Sequence, residues 1–381
     1  MSQMKVPFNR ISLVGGELEN INRAIASGAL HGDGAFTKEC EAKIGRACGA
    51  PVALLANSGT AALDIAAILC DLRPGDEVIL PAYTFVSTAN AFVLRGAKPI
   101  FCDVRRDTLN IDETKIEELV TPRTRVIVPV HYAGVSCEMD AILDIATRRK
   151  LVVVEDAAQG FNAFYKGRAL GSMGELGALS FHGTKNVMCG EGGALLVNSP
   201  DLRERAYYVR EKGTNRIQFV EGKIDKYTWV DIGDSYIPSE LSAAFLSAQL
   251  DALDALTAPR VAAWNRYFAR LSPLEASGRI SLPKIPPHCA HNAHIFFLIA
   301  GSEAEAKSLS AFLKGRGVAS AQHYAPLHLC PMARKLGCDV RSLPVAEEAA
   351  KSMLRLPIFA SISDGEVDYV CDCVEAFYAA K

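Results

Sequence analysis

The sequence predicts an α/β protein: a large domain with a mostly parallel mixed sheet, followed by a smaller C-terminal α+β domain. Short runs of branched apolar residues, such as Leu151 to Val154, are typical of strands buried on both faces. Between residues 52 and 197 such runs alternate with helical patterns, which indicates successive βα units with right-handed crossovers. After Asn198 the alternation stops. We therefore expect a large domain at 1–250, including the N-terminal segment, and a small domain at 251–381.

The predicted elements follow from apolar periodicity and from turn residues. Two helices precede the first strand, at 17–27 and 36–48. The strands predicted for the large domain are 52–55, 77–80, 98–104, 125–130, 151–154, 178–181 and 194–197. The helices predicted with them are 61–70, 87–94, 111–120, 139–150, 200–211 and 239–253. The small domain is predicted to contain a helix at 258–271, a strand at 294–300, a helix at 303–314, a closing segment at 354–357 and a terminal helix at 364–380.

Composition and charge narrow the class of protein. The chain has 381 residues, of which 49% are hydrophobic and 22% charged, so a large globular core is expected. A net charge of −2 argues against a nucleic acid partner. With no apolar stretch near the ~20 residues of a membrane helix and no signal peptide, we expect no membrane association and a cytoplasmic location. The 11 cysteines are odd in number and scattered, so we expect them to be reduced. We expect no metal site, because His288, His291 and His294 do not align on one face of a strand.

A carboxylate and a lysine occupy positions where a sheet protein of this kind binds ligands. Asp156 follows a predicted strand, and ligands of open α/β sheets lie at the carboxyl ends of strands. Lys185 lies on a polar loop after the next apolar run, and Gly190, Gly192 and Gly193 then bend the chain back. Pyridoxal phosphate (PLP) needs a lysine for its aldehyde and a carboxylate for its ring nitrogen. These residues therefore indicate a PLP site.

The polar stretch 57–60 (Asn-Ser-Gly-Thr) joins a predicted strand to a predicted helix. Small hydroxyl residues and a glycine at a helix start expose backbone N–H groups to anions. Serine and threonine are also ordinary helix caps. This stretch by itself leaves an anion site and a plain cap as equal alternatives.

Five motifs occur in a fixed order along the chain. They are 57–63 (Asn-Ser-Gly-Thr-Ala-Ala-Leu), 81–90 (Pro-Ala-Tyr-Thr-Phe-Val-Ser-Thr-Ala-Asn), 155–159 (Glu-Asp-Ala-Ala-Gln), 180–186 (Ser-Phe-His-Gly-Thr-Lys-Asn) and 190–193 (Gly-Glu-Gly-Gly). Together they resemble the DegT/StrS family of PLP-dependent sugar aminotransferases over nearly the whole chain. The resemblance implies the PLP-dependent transferase fold type I, that of aspartate aminotransferase. Within the family, residues 85–96, 125–134, 210–216 and 225–236 are most similar to the enzymes that form dTDP-4-amino-4,6-dideoxygalactose.

The resemblance implies roles for the residues around the ring of PLP. Lys185 forms the internal aldimine and then moves the proton between the cofactor and the substrate carbon. Asp156 pairs with the pyridinium nitrogen, Gln159 contacts the ring hydroxyl and Phe85 stacks on the ring. Asn186 belongs to the implied cofactor-binding set. His182 either contacts the cofactor or is a packed histidine.

The resemblance also implies how the phosphate of PLP is bound. Ser58, Gly59 and Ser180 hold it, and Thr60 starts the helix behind it. Where the family commonly has Asn-Tyr-Arg, this chain has Ser-Tyr-Ile at 235–237. That asparagine reaches the phosphate of the neighbouring subunit, so Ser235 implies a shorter hydroxyl contact across a homodimer.

Three residues are candidates for substrate binding. Tyr324 and His328 form a Tyr-x-Pro-x-His loop that either faces the substrate or is a rigid turn set by Pro326. Arg216 is the third candidate. The substrates implied by the resemblance are L-glutamate and dTDP-4-keto-6-deoxy-D-glucose, which is aminated at C4 to give dTDP-4-amino-4,6-dideoxy-D-galactose for O-antigen or other surface polysaccharide.

Other functions stay open at this point. A sibling transaminase acting at C3, or giving the gluco epimer at C4, would carry the same motifs. A PLP-dependent dehydratase is disfavoured by Lys185, because the family's dehydratases have histidine at that position. A non-catalytic PLP-binding regulator would bind the cofactor without turnover.

Overall fold

The structure is a computed structural model that describes residues 4–380. The strands are β1 Ala53–Ala56, β2 Glu77–Pro81, β3 Lys98–Cys102, β4 Thr124–Ile127, β5 Val152–Asp156, β6 Phe164–Tyr165, β7 Arg168–Ala169, β8 Leu176–Ser180, β9 Gly193–Val197, β10 Ile280–Ser281, β11 Cys289–Ala290, β12 Phe296–Ala300 and β13 Met353–Leu356. The helices are α1 Glu17–Ala26, α2 Ala35–Cys48, α3 Gly59–Leu69, α4 Val86–Val93, α5 Ile116–Leu119, α6 Met139–Arg149, α7 Arg203–Arg210, α8 Arg216–Val220, α9 Glu240–Asp251, α10 Leu253–Ala276, α11 Glu303–Gly315, α12 Pro331–Lys335, α13 Pro344–Ser352 and α14 Asp364–Ala379.

A seven-stranded sheet has the strand order β1-β9-β8-β5-β4-β2-β3. Neighbours from β8 to β3 are parallel, whereas β9 runs antiparallel to both β1 and β8. The predicted mostly parallel mixed sheet is therefore confirmed. Because β5 and β8 are parallel, the residues that end them, Asp156 and Ser180, lie at the same edge of the sheet.

Helices cover both faces of this sheet, as the buried character of its strands predicts. Successive residues of a strand alternate between two apolar cores, which is the period-two geometry of a strand. Leu54 and Val78 pack in the core that contains α3, and Leu55 and Ile79 pack in the core that contains α2 and α9. Because helices cover both faces of the sheet, the site forms at the ends of its strands.

A second sheet, in the order β10-β12-β13, is antiparallel and packs with α10, α11 and α14. Its core includes Tyr267, Leu309 and Val370, all fully buried. Val6 joins the same core and forms a parallel bridge with Val318. The division of the chain at residue 250 stays a prediction.

Two predicted helices have different bounds in the structure. The helix predicted at 111–120 begins later than expected, because Ile111 forms a β-bridge with Val104; a 3-10 turn at Glu113–Lys115 then leads into the short α5. The helix predicted at 258–271 is the middle of the longer α10, which continues through Pro259 while Trp264 and Leu271 stay buried against the small sheet. Over residues 4–380, no helix is both long enough and apolar enough to cross a membrane.

Candidate active site

The edge of the sheet where β5 and β8 end opens into a cavity of about 490 Å³. Its wall is formed by loops and helix starts next to the seven-stranded sheet and by residues in and around β13 of the second sheet. Most of the residues that the sequence singled out line this one cavity: Ser58, Gly59, Thr60, Phe85, Asp156, Gln159, Ser180, His182, Lys185 and Tyr324.

The carboxylate of Asp156 is held by two hydrogen-bond donors. Thr88 Oγ1 donates to Oδ2 at 2.7 Å, and the backbone N–H of Ala158 donates to Oδ1 at 3.1 Å. Thr84 Oγ1 lies 2.9 Å from Thr88 Oγ1. Since the only hydroxyl proton of Thr88 is used on Asp156, Thr84 is the donor in that pair. These two hydrogen bonds fix the orientation of the carboxylate, at a position where it lines the cavity.

Lys185 lies on a turn in which its backbone N–H donates to the carbonyl of His182 at 2.8 Å. Within residues 4–380 its side chain forms no ion pair, unlike Lys43, Lys166 and Lys307, each of which pairs with a carboxylate. Burial lowers the pKa of Lys185 to about 8, although the nearby charge of Asp156 acts in the opposite direction. A substantial fraction of this amine is therefore neutral near pH 8, as a nucleophile or general base requires.

Helix α3 directs its N-terminus at the cavity. Ser58 caps it by accepting the backbone N–H of Ala61 at 3.0 Å. A Cβ on Gly59 would lie 2.8 Å from Cβ of Ser180, so this close approach of helix and strand requires glycine. The result is a concave surface of small and hydroxyl residues at the positive end of a helix, which suits a phosphate group.

Gln159 and Tyr324 form the next part of the wall. Gln159 Oε1 accepts the backbone N–H of Ala133 at 2.7 Å, and its Nε2 donates to the hydroxyl of Tyr324 at 3.2 Å. Burial raises the pKa of Tyr324 to about 12, so its hydroxyl stays protonated. Phe85 is 55% exposed and presents its ring to the cavity, 6.2 Å from the ring of Tyr324.

Four predicted site residues lie outside the cavity wall. Arg216 pairs with Glu211, and Ser235 is exposed on a loop. Asn186 donates to the carbonyl of Asn292 at 2.8 Å.

His328 is fully buried, with Nε2 3.3 Å from Glu347. The expectation that His328 faces the substrate does not agree with this burial, because the turn at Pro326 directs it inward. His182 does line the cavity, with Nδ1 2.9 Å from the hydroxyl of Thr184.

Sequence reasoning missed a group of basic residues in the wall: Arg260, His294, His323 and Arg355. His294 Nδ1 lies 2.9 Å from Oδ1 of Asn186. Because that oxygen can only accept, Nδ1 carries the proton and Nε2 is left as an acceptor. Burial lowers the pKa of His294 well below its usual value, so the ring is neutral. The one available signal was a charged residue, Arg355, inside an otherwise apolar strand.

Comparisons with known proteins agree with this site. A profile of the DegT/DnrJ/EryC1/StrS aminotransferase family matches residues 13–375. The chain is 36% identical to a "Pleiotropic regulatory protein" of Geobacillus stearothermophilus, covering 91% of this chain and 90% of that one. It is 32% identical to a GDP-perosamine synthase of Caulobacter vibrioides, covering 88% of each.

Solved structures give the same result. The crystal structure of DesV from S. venezuelae in complex with a ketimine intermediate superposes with a TM-score of 0.89 at 32% identity and covers 98% of both chains. The family profile and this superposition both extend over nearly the whole chain. The protein therefore belongs to the DegT/DnrJ/EryC1/StrS aminotransferase family and is a PLP-dependent aminotransferase of fold type I.

Proposed function

We propose that the enzyme is a nucleotide-sugar aminotransferase that moves the amino group of L-glutamate to C4 of dTDP-4-keto-6-deoxy-D-glucose. The product is dTDP-4-amino-4,6-dideoxy-D-galactose, for the synthesis of O-antigen or another surface polysaccharide. The observation that carries the proposal is that Lys185, Asp156 and the start of α3 border one cavity. The name of the C. vibrioides relative supports a nucleotide-linked sugar as substrate class. The similarity at 85–96, 125–134, 210–216 and 225–236 supports the C4 galacto product.

The residues of the cavity fit PLP at each of its functional groups. The missing Cβ of Gly59 and the hydroxyls of Ser58 and Ser180 leave a place for the phosphate at a helix N-terminus. Asp156 would hold the ring nitrogen, and Lys185 would hold the aldehyde carbon covalently. When bound, PLP supplies an electron sink for the carbon that gains or loses the amino group.

The chain's own residues then have separate tasks. The carboxylate of Asp156 keeps a proton on the ring nitrogen, and Thr88 prevents that carboxylate from rotating away. Lys185, once freed from covalent attachment, moves a proton to and from the reacting carbon, for which a pKa of about 8 is well matched. The rings of Phe85 and Tyr324 line one side of the cavity.

We further propose that the active form is a homodimer with its site at the subunit interface. Ser235 lies outside the cavity of its own chain, so its proposed contact would be to the phosphate bound by the partner subunit. The exposed apolar side chains of Trp229, Val230 and Ile232, in the same segment, support burial of this surface by a second copy.

The test is amination of a panel of dTDP-, UDP- and GDP-linked 4-keto and 3-keto sugars with L-glutamate, scored by mass spectrometry. We expect the dTDP-linked 4-keto sugar to be the best substrate and proton coupling constants of the product to show the galacto epimer. Lys185→Ala should abolish turnover and leave the melting temperature unchanged, whereas Lys307→Ala, at an exposed lysine of α11, should keep full activity. Preference for another sugar, or no amination at all, would contradict the proposal.

A second candidate, a PLP-binding regulator without catalysis, is favoured by the name of the G. stearothermophilus relative. It predicts that borohydride reduction traps PLP on Lys185, as peptide mass spectrometry would reveal, while no amino donor changes the cofactor's absorbance. The enzyme predicts the same trapping together with loss of the ~420 nm band when L-glutamate is added.

A further inference from the structure

Glu155 is a buried carboxylate directly before Asp156 in β5. Successive side chains of a strand point to opposite faces, so Glu155 points away from the cavity that Asp156 lines. Oε2 of Glu155 lies 2.9 Å from Nε2 of His131. Three backbone N–H groups also donate to this carboxylate at 2.6–2.9 Å, those of Gly171, Met173 and Gly174. Burial raises the pKa of Glu155, but these hydrogen bonds outweigh it and keep the pKa below its usual value, so the carboxylate is ionised.

His131 is fully buried as well, and its two ring nitrogens have different roles. Nδ1 accepts the backbone N–H of Cys137 at 3.2 Å. A ring nitrogen that accepts carries no proton, so the proton of His131 is on Nε2 and is donated to Glu155. The ring is therefore a neutral imidazole in the tautomer that binds both groups.

The turn that begins at His131 holds the backbone in an unfavourable conformation. Ala133 has a φ of 60°, in the left-handed region that a residue with a Cβ rarely adopts. Such strain persists only where the surrounding contacts over-determine the backbone. The backbone N–H of His131 donates to the carbonyl of Asp156 at 3.1 Å, and its ring donates to Glu155. Both hydrogen bonds anchor the start of the turn to β5.

The turn at 131–134 orients one residue of the cavity wall, Gln159. Oε1 of Gln159 accepts the backbone N–H of the strained Ala133 at 2.7 Å. Because this bond fixes which end of the amide faces the turn, Nε2 of Gln159 faces the other way and donates to the hydroxyl of Tyr324 at 3.2 Å. Gln159 and Tyr324 line the cavity, whereas His131 and Glu155 lie behind its wall.

We propose that His131 and Glu155 are a positioning pair, which holds the turn at 131–134 in its strained form and thereby orients Gln159 toward PLP. The inference rests on the proposed function for the place of PLP in the cavity. A buried pair that served stability alone would have no particular connection to the cofactor. Here hydrogen bonds lead from Glu155 to His131 and, after two residues of the turn, from Ala133 to Gln159.

The test measures the affinity of the apoenzyme for PLP by equilibrium dialysis. His131→Leu removes the donor to Glu155, and we expect it to weaken PLP binding by about tenfold. His131→Gln keeps an amide N–H that can reach Glu155 and should recover most of the affinity, which also guards against a folding defect in the leucine variant. Wild-type affinity in a folded His131→Leu variant would overturn the inference.

Thr37→Val is the matched control. Thr37 is fully buried, and its hydroxyl donates to Glu240, a buried carboxylate that also accepts three backbone N–H groups but lies outside the cavity wall. This change removes the same kind of hydrogen bond, so it should lower the melting temperature about as much as His131→Leu does. It should leave the affinity for PLP unchanged. Equal losses of PLP affinity in the two variants would show that His131 acts through global stability and would contradict us.

A double-mutant cycle tests whether the pair acts through Gln159. If it does, adding His131→Leu to Gln159→Ala should weaken PLP binding little more than Gln159→Ala does by itself, because the side chain to be oriented is already gone. If the two fold-losses multiply instead, the two residues act independently and the proposed route is wrong.

These outcomes are distinct from a failure of the proposed function. If the wild type aminates no sugar of the panel, the PLP affinities of the variants still report on His131. If the wild type aminates its sugar while His131→Leu keeps the wild-type PLP affinity, or while the cycle shows independent losses, only the present inference is wrong.

Discussion

At the scale of single residues, the site depends on side chains that keep Asp156 and Lys185 in the states that the chemistry needs. The two threonines, Thr84 and Thr88, form a chain of hydrogen bonds that ends on the carboxylate of Asp156. Among residues 4–380 no side chain forms an ion pair with Lys185, and burial lowers its pKa to about 8. The hydrogen bond from Thr88 and the lowered pKa of Lys185 can each be tested by experiment.

Replacement of Thr88 by valine keeps the shape of the side chain and removes the donor to Asp156. A hydrogen bond to a charged group is worth about 1.5–3 kcal/mol, so kcat should fall by about tenfold to a hundredfold. The pH titration of the cofactor's absorbance should shift with it. Thr88→Ser restores the hydroxyl and should recover most of the activity. Thr84→Val leaves the bond from Thr88 to Asp156 intact and should cost less, so equal losses in the two valine variants would contradict this role.

The lowered pKa of Lys185 predicts how the apoenzyme captures PLP at different pH values. Only the neutral amine attacks an aldehyde, and burial lowers its pKa from 10.5 to about 8. The capture rate should therefore rise about tenfold per pH unit below pH 8 and become constant above it. Stopped-flow absorbance from pH 6 to pH 10 measures this profile. A rate that still climbs at pH 10 would show that the amine is not desolvated.

At the scale of elements, the proposed phosphate site depends on how closely α3 approaches the sheet. Gly59 lies against Ser180 at the end of β8, and a Cβ on Gly193 at the start of β9 would lie 2.4 Å from the carbonyl carbon of Ser58. Both glycines are needed, because Cβ of Ser180, which cannot rotate away, lies beside Gly59, and the backbone of Ser58 lies beside Gly193. The helix start and two strand ends are thereby held around one concave surface.

Gly59→Ala should separate α3 from β8. Overpacking of this kind costs about 1–3 kcal/mol, so both the melting temperature and the affinity for PLP should fall, the latter by about tenfold. Gly45→Ala in α2 is the matched control, since its Cβ would lie at an ordinary 3.5 Å from the nearest atom. Unchanged PLP affinity in Gly59→Ala would argue against phosphate binding at this helix.

At the scale of the whole molecule, the cavity combines parts of the chain that are far apart in sequence. Phe8 comes from the N-terminal segment, Asp156 and Lys185 come from the seven-stranded sheet, and Tyr324 and Arg355 come from the C-terminal region. Three apolar cores hold these regions, and Val6 ties the N-terminal segment to the core of the small sheet. The segment 227–232, which contains the exposed Trp229, Val230 and Ile232, is the surface that we propose a second copy of the chain covers.

The proposed homodimer can be tested at Trp229, which is 80% exposed. The wild type should sediment with twice the mass of one chain, because burial of apolar surface drives such association. Trp229→Asp should shift the equilibrium toward the monomer by at least about tenfold and lower activity in parallel. Lys307→Asp, on the exposed side of α11, adds a carboxylate elsewhere and should change neither. A monomeric, fully active wild type would disprove the proposal.

Much of the fold and part of the site could be predicted from local patterns. Alternating strands and helices with glycine turns predicted the mixed sheet, and the polar residues after two strands predicted that Asp156 and Lys185 belong to the site. These signals are local, because a parallel sheet brings the ends of its strands to one edge wherever the strands lie in sequence. The bounds of irregular segments were less predictable, as the β-bridge of Ile111 with Val104 illustrates.

The sequence by itself determined the fold class, the family and the pair of residues expected to hold the two ends of PLP, because each depends on residues close together in the chain. Only the tertiary structure decided which distant side chains complete the wall. It brought Arg355 and His323 to the cavity and turned His328 away from it. Such contacts depend on how two sheets and an N-terminal segment pack against one another, and no spacing within a single segment encodes that arrangement.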